Sequence, residues 1–248
     1  MTMPAGQYAI IAGSGFQSFA DDARRHEVDT AFGPPTGTVR ELEFEDHVLY
    51  FLPRHGDALL IPPHAINYRA NMQALADLEV TAVIALNTVG VIAPQMHPGQ
   101  LAVPGQILDY TWGRAHSIYG DGERLDHIDF TEPFTPSLRK ALLDAADRAE
   151  LTVHDGSVYA VTQGPRLETA AEVDRLERDG ADLVGMTAMP EASLARELGL
   201  QYACVSLVVN YAAGRGERSI HADIEESTMT ARMQAMKLLR AFFRTAEE

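Results

Sequence analysis

Cysteine is nearly missing from this chain: Cys204 stands alone among 248 residues. That excludes an internal disulfide and fits a reducing compartment. Positive charge is also scarce. Lys and Arg total 20 against 35 Asp and Glu, for a formal net charge of -15, which disfavours nucleic acid and anionic membranes as partners and leaves any anionic ligand to local donors. No apolar run near the start is long enough for a signal-peptide core or a membrane span, and the first basic residue is Arg24. A cytoplasmic protein is therefore expected. Several motifs are absent too: no HExxH or cysteine pair for a metal, no GxSxG elbow for a nucleophilic serine, no full dinucleotide fingerprint and no P-loop lysine. Nothing calls for a metal or a cofactor. No linker, charge block or repeat divides the chain, so one domain over residues 1–248 is expected.

What is present is an alternation of short apolar runs, polar turns and helical stripes, with 46% hydrophobic residues to fill a core. Residues 158–162 read as a strand that ends in Gln163-Gly164-Pro165-Arg166, and Val173 and Leu176 begin a helical stripe that Gly180 closes. Residues 181–185 read as a second buried strand, and Pro190 is suited to the first position of the next helix. These strand ends bring Glu168, Met186, Thr187 and Glu191 to one edge of a sheet, where open α/β sheets bind ligands. Glu168 is equally readable as a solvated first-turn residue favoured by the helix dipole.

Earlier in the chain, residues 7–12 form an expected strand followed by Gly13-Ser14-Gly15, a turn able to face an anion or merely to turn. Residues 39–52 read as two strands joined near Glu45-Asp46 and end in Pro53-Arg54-His55-Gly56. Arg54 suits either forked recognition of phosphate or an ion pair with one of the many carboxylates. Residues 81–86 read as a central strand breaking into Asn87-Thr88-Val89-Gly90, where Asn87 is also suited to capping a turn. Residues 94–122 read as partly surface loop around a short strand at 101–103. Thr135-Pro136 opens a helix carrying Leu138 and Leu142 on its apolar face. Met229, Met233, Met236, Leu239 and Phe243 recur at helical spacing, the pattern of core packing, and Cys204 sits in an apolar run as a core residue would.

Three segments in order, GPRLETAAE, GADLVGMTAMPEASLARELGL and LVVNYA, resemble the trimeric purine nucleoside phosphorylase family, above all its methylthioadenosine and methylthioinosine phosphorylase branch. The resemblance runs from the first glycine turn to beyond Asn210. It implies a three-layer α/β/α sandwich with a mixed, partly barrel-like central sheet, a purine nucleoside and inorganic phosphate as co-substrates, no cofactor, and a homotrimer in which a neighbouring subunit borders each site. By the same resemblance Ser14, Arg54, His55, Asn87, Thr88 and Thr187 would hold phosphate, and Met186 would lie along the ribose. The branch usually has a second histidine where this chain has Leu59. His127, in the segment His127-Ile128-Asp129-Phe130, would reach the nucleoside's 5′ side in a neighbouring subunit.

Base choice is particular to this sequence. The adenine-cleaving branch carries Asp where Asn210 stands, Asp where Ala212 stands, and a small hydroxyl residue where Glu168 stands. An amide can donate to a 6-oxo group and accept from N7–H, and a carboxylate can accept the N1 proton of hypoxanthine. The pair therefore points to a 6-oxopurine. On the 5′ side, His221 would suit a 5′-hydroxyl and Ile224 a methylthio group; the resemblance implies phosphorolysis of S-methyl-5′-thioinosine, with inosine or guanosine, or 5′-methylthioadenosine, as alternative substrates. A purine-binding sensor without turnover and a hydrolase using water are the readings from other classes. The lack of an acidic calcium-binding cluster near the first strand counts against the hydrolase.

Overall fold

Alternation of side chains along each strand places the two sides of the sheet against separate apolar cores. The structure, a computed structural model, describes residues 5–13, 16–20, 23–120 and 126–244. Ser14, expected at the phosphate, lies outside the described residues.

The strands are β1 (Tyr8–Ala12), β2 (Arg24–His26), β3 (Val39–Phe44), β4 (His47–Pro53), β5 (Ala82–Val91), β6 (Leu101–Val103), β7 (Gln106–Asp109), β8 (Val153–Asp155), β9 (Val158–Val161), β10 (Leu183–Gly185) and β11 (Gln201–Tyr211). The helices are α1 (Tyr68–Asp77), α2 (Pro136–Arg148), α3 (Ala170–Arg178), α4 (Ala188–Glu197) and α5 (Ile220–Phe243). In β1, Ala9 and Ile11 face one core while Tyr8, Ile10 and Ala12 face the other. The first core takes Met72 and Leu75 of α1 with Ala192 and Leu194 of α4, and the second takes Leu138 and Leu142 of α2 with Leu238 and Phe242 of α5. Helices thus cover both faces of a mixed sheet, a three-layer arrangement.

The sheet runs β2-β3-β4-β1-β5-β10-β9-β7, with β11 and then β6 and β8 branching from β5. The path does not close on itself, so the expected barrel-like character stops short of a closed barrel. Its branching strand is the structural key to the site. β1 accompanies β5 in parallel only through Ala85, and β10 joins the same edge antiparallel only at Gly90 and Val91. Between those partners the edge of β5 is open, while its other edge is paired with β11 throughout.

Two expectations change here. Asn87 does not end a strand, because β11 carries the pairing on to Val91, and residues 94–122 include β7 as well as β6. Others stand: the Glu45-Asp46 turn joins β3 to β4 with both residues at positive φ, and regular helix in α4 begins at Pro190, since Met189 is non-helical. The methionine stripe is split. Leu239 and Phe243 are buried, but Met229 and Met233 are 72% and 67% exposed; spacing identified the helix without saying which stripe faces inward.

Candidate active site

A cavity of about 170 Å³ opens at the gap beside β5. Its walls take Gly13 from the end of β1, Arg54 and His55 after β4, residues 86–90 of β5, Glu168 before α3, residues 184–187 around the end of β10, Asn210 and Ala212 at the end of β11, and Ile220 and Ile224 of α5. The parallel strands β1, β4, β5 and β11 bring their C-terminal halves to one cleft, and β9 and β10, parallel to each other but antiparallel to β5, also lead into it.

On the floor, Arg54 is 1% exposed. Its Nε and Nη2 donate to the two oxygens of Glu191, each at 2.8 Å, and Nη1 donates to the Leu86 carbonyl at 2.9 Å. The fork expected to grip phosphate is closed on a carboxylate, because the two side chains meet in a dry interior where either charge alone would be costly. A second N–H on Nη1 has no acceptor among the described residues. Burial opposes the Arg54 charge, but the adjacent Glu191 carboxylate holds its pKa above the ordinary value. Glu191 is 0% exposed and also accepts from the Tyr202 hydroxyl at 2.8 Å. Its place at the sheet edge was legible in the sequence; its partner was not.

His55 directs Nδ1 to the Ile61 carbonyl at 2.8 Å. An N–H must lie on Nδ1 for that bond, so in the neutral ring Nε2 is an acceptor toward Gly13. Burial and then the Arg54 cation push the His55 pKa below 6.5. A β-carbon at Gly13 would lie 2.9 Å from His55 Cδ2, so only glycine lets the turn approach the imidazole. Asn87 is buried, accepting from Ser206 Oγ at 2.7 Å and donating to Cys204 Sγ at 3.3 Å. Its side chain is tied to β11 rather than capping a turn. Cys204 itself is buried, and burial pushes its thiol up to about 12, leaving it inert at neutral pH.

Thr88 is the one exposed residue of β5. Ala82 N–H donates to Gln7 and Ile92 N–H to Asp182 on the edge shared with β1 and β10. Strand alternation sends the Thr88 N–H toward that same edge, into the gap. Thr187 is buried at the N-cap of α4, makes no side-chain capping bond and lines the cleft.

On another wall of the cleft, Glu168 precedes the Thr169 cap of α3 and is half-buried; its Oε1 accepts from Thr162 Oγ1 at 2.6 Å. The solvated first-turn alternative is not what the fold builds. Asn210 is 6% exposed at a β-bulge, with Nδ2 donating to the Tyr211 carbonyl at 2.7 Å. A β-carbon on Gly90 would come within 2.9 Å of that Nδ2, so the neighbouring strand must carry glycine for the amide to lie there. Met186 and Ala212 line the same cleft.

Two expected residues are elsewhere. His221 is exposed and off the cleft, whereas Ile220 and Ile224, one helical turn apart, both line it. Ser219 caps α5 by accepting from Ala222 N–H and so fixes that phase. His127 is exposed and does not line its own chain's cleft. Among the described residues, no group of three or more His, Cys, Asp or Glu is placed to hold a metal, and no helix is long and apolar enough to cross a membrane.

Comparison with known proteins gives one consistent answer. The profile of the Phosphorylase superfamily matches residues 7–244. The chain is 47% identical over 224 residues to a probable S-methyl-5′-thioinosine phosphorylase of Xanthomonas campestris pv. campestris, covering 89% of this chain and 87% of that one. It is 43% identical over 242 residues to the 6-oxopurine nucleoside phosphorylase of Pyrococcus furiosus, covering 94% and 90%. Its fold superposes on methylthioadenosine phosphorylase of Schistosoma mansoni in complex with adenine with a TM-score of 0.89, at 31% identity, over 96% of this chain and 91% of that one.

Proposed function

The chain belongs to the Phosphorylase superfamily, and from that premise we propose that this purine nucleoside phosphorylase cleaves S-methyl-5′-thioinosine to hypoxanthine and 5-methylthioribose 1-phosphate. The observation that carries the choice of base is the shared wall of Glu168 and Asn210. Asn210 has already given one Nδ2 hydrogen to Tyr211. Its second hydrogen suits the 6-oxo oxygen and its Oδ1 suits N7–H, while the free oxygen of Glu168 suits N1–H. Adenine would set its amino group against the amide hydrogen and its bare N1 against the carboxylate.

In this reading phosphate lies on the floor beneath the sugar. The Thr88 N–H, the Thr187 hydroxyl and the free N–H of Arg54 donate to it; Ser14 belongs to the same set by resemblance, and Asn87 holds the floor from beneath. His55 accepts the hydrogen of the phosphate's own P–OH. The C1′–N9 bond breaks with its electron pair passing to the purine, and a bond from a phosphate oxygen to C1′ forms. The purine takes a proton from solvent at N7, where Asn210 Oδ1 holds it. Donors fixed before the substrate arrives need no reorganisation as charge develops, and orientation supplies much of the remaining barrier reduction.

Ile220 and Ile224 face the sugar end and suit a methylthio group; a 5′-hydroxyl would be left without a partner there. Met186 lies along the ribose. The enzyme works as a cytoplasmic homotrimer, with His127 completing the 5′ side of a neighbouring site, a reading supported by its exposure outside its own cleft. Co-assembly of a His127→Ala chain with an Asn210→Ala chain tests this: activity above that of either parent supports the shared site, and a fully active monomer contradicts it.

A further inference from the structure

Arg114 lies in the segment between β7 and α2, where the sequence reads as partly surface loop, yet it is only 9% exposed. Among the described residues it has no carboxylate partner. Its guanidinium instead makes six hydrogen bonds. Nη1 donates to the carbonyls of Met186 at 2.9 Å and Met189 at 2.5 Å and to the Tyr68 hydroxyl at 3.2 Å. Nη2 donates to the carbonyls of Thr162 at 3.3 Å and Gln163 at 2.9 Å, and Nε donates to Gln163 Oε1 at 3.2 Å.

The acceptors are not scattered. Thr162 and Gln163 begin the turn that carries Glu168, and Met186 and Met189 bracket Thr187 at the start of α4. Thr162 also gives its hydroxyl to Glu168, so the guanidinium is two bonds away from the carboxylate on the base wall. One rigid planar cation therefore joins the segment that faces the base to the segment that faces the ribose and phosphate. A lysine, with a single point of charge, could not span both sets of carbonyls.

We propose that Arg114 is a positioning residue: it touches no substrate, but it sets the distance between the Glu168 turn and the Met186–Thr187 turn and thereby governs both turnover and the preference for a 6-oxopurine. This rests on the proposed function above. Displacement of the Glu168 turn by a fraction of an ångström would leave the Arg54 floor in place while Glu168 no longer met N1 as the leaving group departed.

The test uses the full chain carrying Arg114→Lys or Arg114→Met, assayed on methylthioinosine and methylthioadenosine at saturating phosphate. The expected result is a fall in kcat/KM for methylthioinosine of roughly 10- to 100-fold, with a smaller fall for methylthioadenosine, so that the ratio of the two shrinks. Guanidinium ion should restore part of the ratio in an Arg114→Ala chain. Equal losses on both substrates, or none, would overturn the proposal. If Arg114→Met is not recovered folded, Arg114→Lys carries the assay, since it keeps the charge and most of the volume. Amide exchange over residues 162–168 and 186–189 decides the matter without substrate: both segments should exchange faster together in Arg114→Lys, and unchanged exchange would overturn the coupling. A wild-type chain that cleaves no purine nucleoside would strike the functional reading, and the exchange measurement would still decide this one.

Discussion

The floor of the cleft and its base wall are built on opposite plans. On the floor, polar side chains mostly satisfy one another: Arg54 with Glu191, Glu191 with Tyr202, Asn87 with Ser206, and His55 with the Ile61 carbonyl. On the base wall, Glu168 and Asn210 each keep one bond to the protein and leave the rest of their hydrogen-bonding capacity facing the cleft. The difference teaches where stability and specificity reside. A floor whose side chains are mostly paired with one another belongs to the core; a wall with open hydrogen-bonding capacity suits the choice of substrate in the proposed reaction, and its residues are expected to be changeable without unfolding the protein.

Breaking the floor should give the largest effect. Glu191→Ala would strand the Arg54 cation in the interior and is expected to lower stability by about 3–5 kcal/mol, read as a shift of the urea unfolding midpoint, with activity lost at the same time. A midpoint close to that of the wild type would mean that the pair is not part of the fold's support. Changing the wall should do the reverse. Asn210→Asp exchanges the amide donor for an acceptor and Glu168→Ser removes the acceptor suited to N1–H, so together they should move the ratio of specificity constants toward methylthioadenosine by roughly 10- to 1000-fold if one or two buried hydrogen bonds change sides. An unchanged ratio in the folded double variant would show that neither residue meets the purine.

The helical lip at the sugar end should respond more modestly. Ile224→Ser replaces apolar surface by a hydroxyl, and is expected to reduce the preference for methylthioinosine over inosine by about tenfold, with the preference between bases left as it was. The smallest effect belongs to pH. Because His55 has its folded pKa below the ordinary 6.5, the unfolded chain takes up the proton first as the medium is acidified. Its contribution is therefore neutral above about pH 6.5, becomes unfavourable as pH falls from there, and levels off below the folded pKa. His55→Asn should flatten that part of a plot of unfolding midpoint against pH, and an identical slope in the variant would remove His55 as its source.

Much of the fold was legible because strands and helices announce themselves by period: β1, β9, α3 and the regular start of α4 at Pro190 follow directly from apolar spacing and from where Gly and Pro stop it. The course of β5 was not, since Asn87, Thr88 and Gly90 have the composition of a turn and are held extended only by pairing with β11. The same limit hid the partner of Arg54. Glu191 lies 137 residues away, and no local pattern records such a meeting; the sequence left open whether Arg54 would meet phosphate or a carboxylate. Arg114 was hidden for a related reason, because a segment rich in Pro, Gly and polar residues reads as surface until its long-range carbonyl partners are known. His221 and Ile220 differ by one position, and only the Ser219 cap decides which of them faces the cleft. The resemblance to known phosphorylases brought Glu168 and Asn210 forward, where residue type alone left Glu168 open to a surface role.

The most direct measurement of the account is a panel of methylthioinosine, methylthioadenosine, inosine and adenosine, each assayed for release of free base with and without phosphate. Base release is expected to require phosphate, or arsenate in its place, with the highest kcat/KM for methylthioinosine. A higher kcat/KM for methylthioadenosine, or equal release of base in the absence of phosphate, would contradict it.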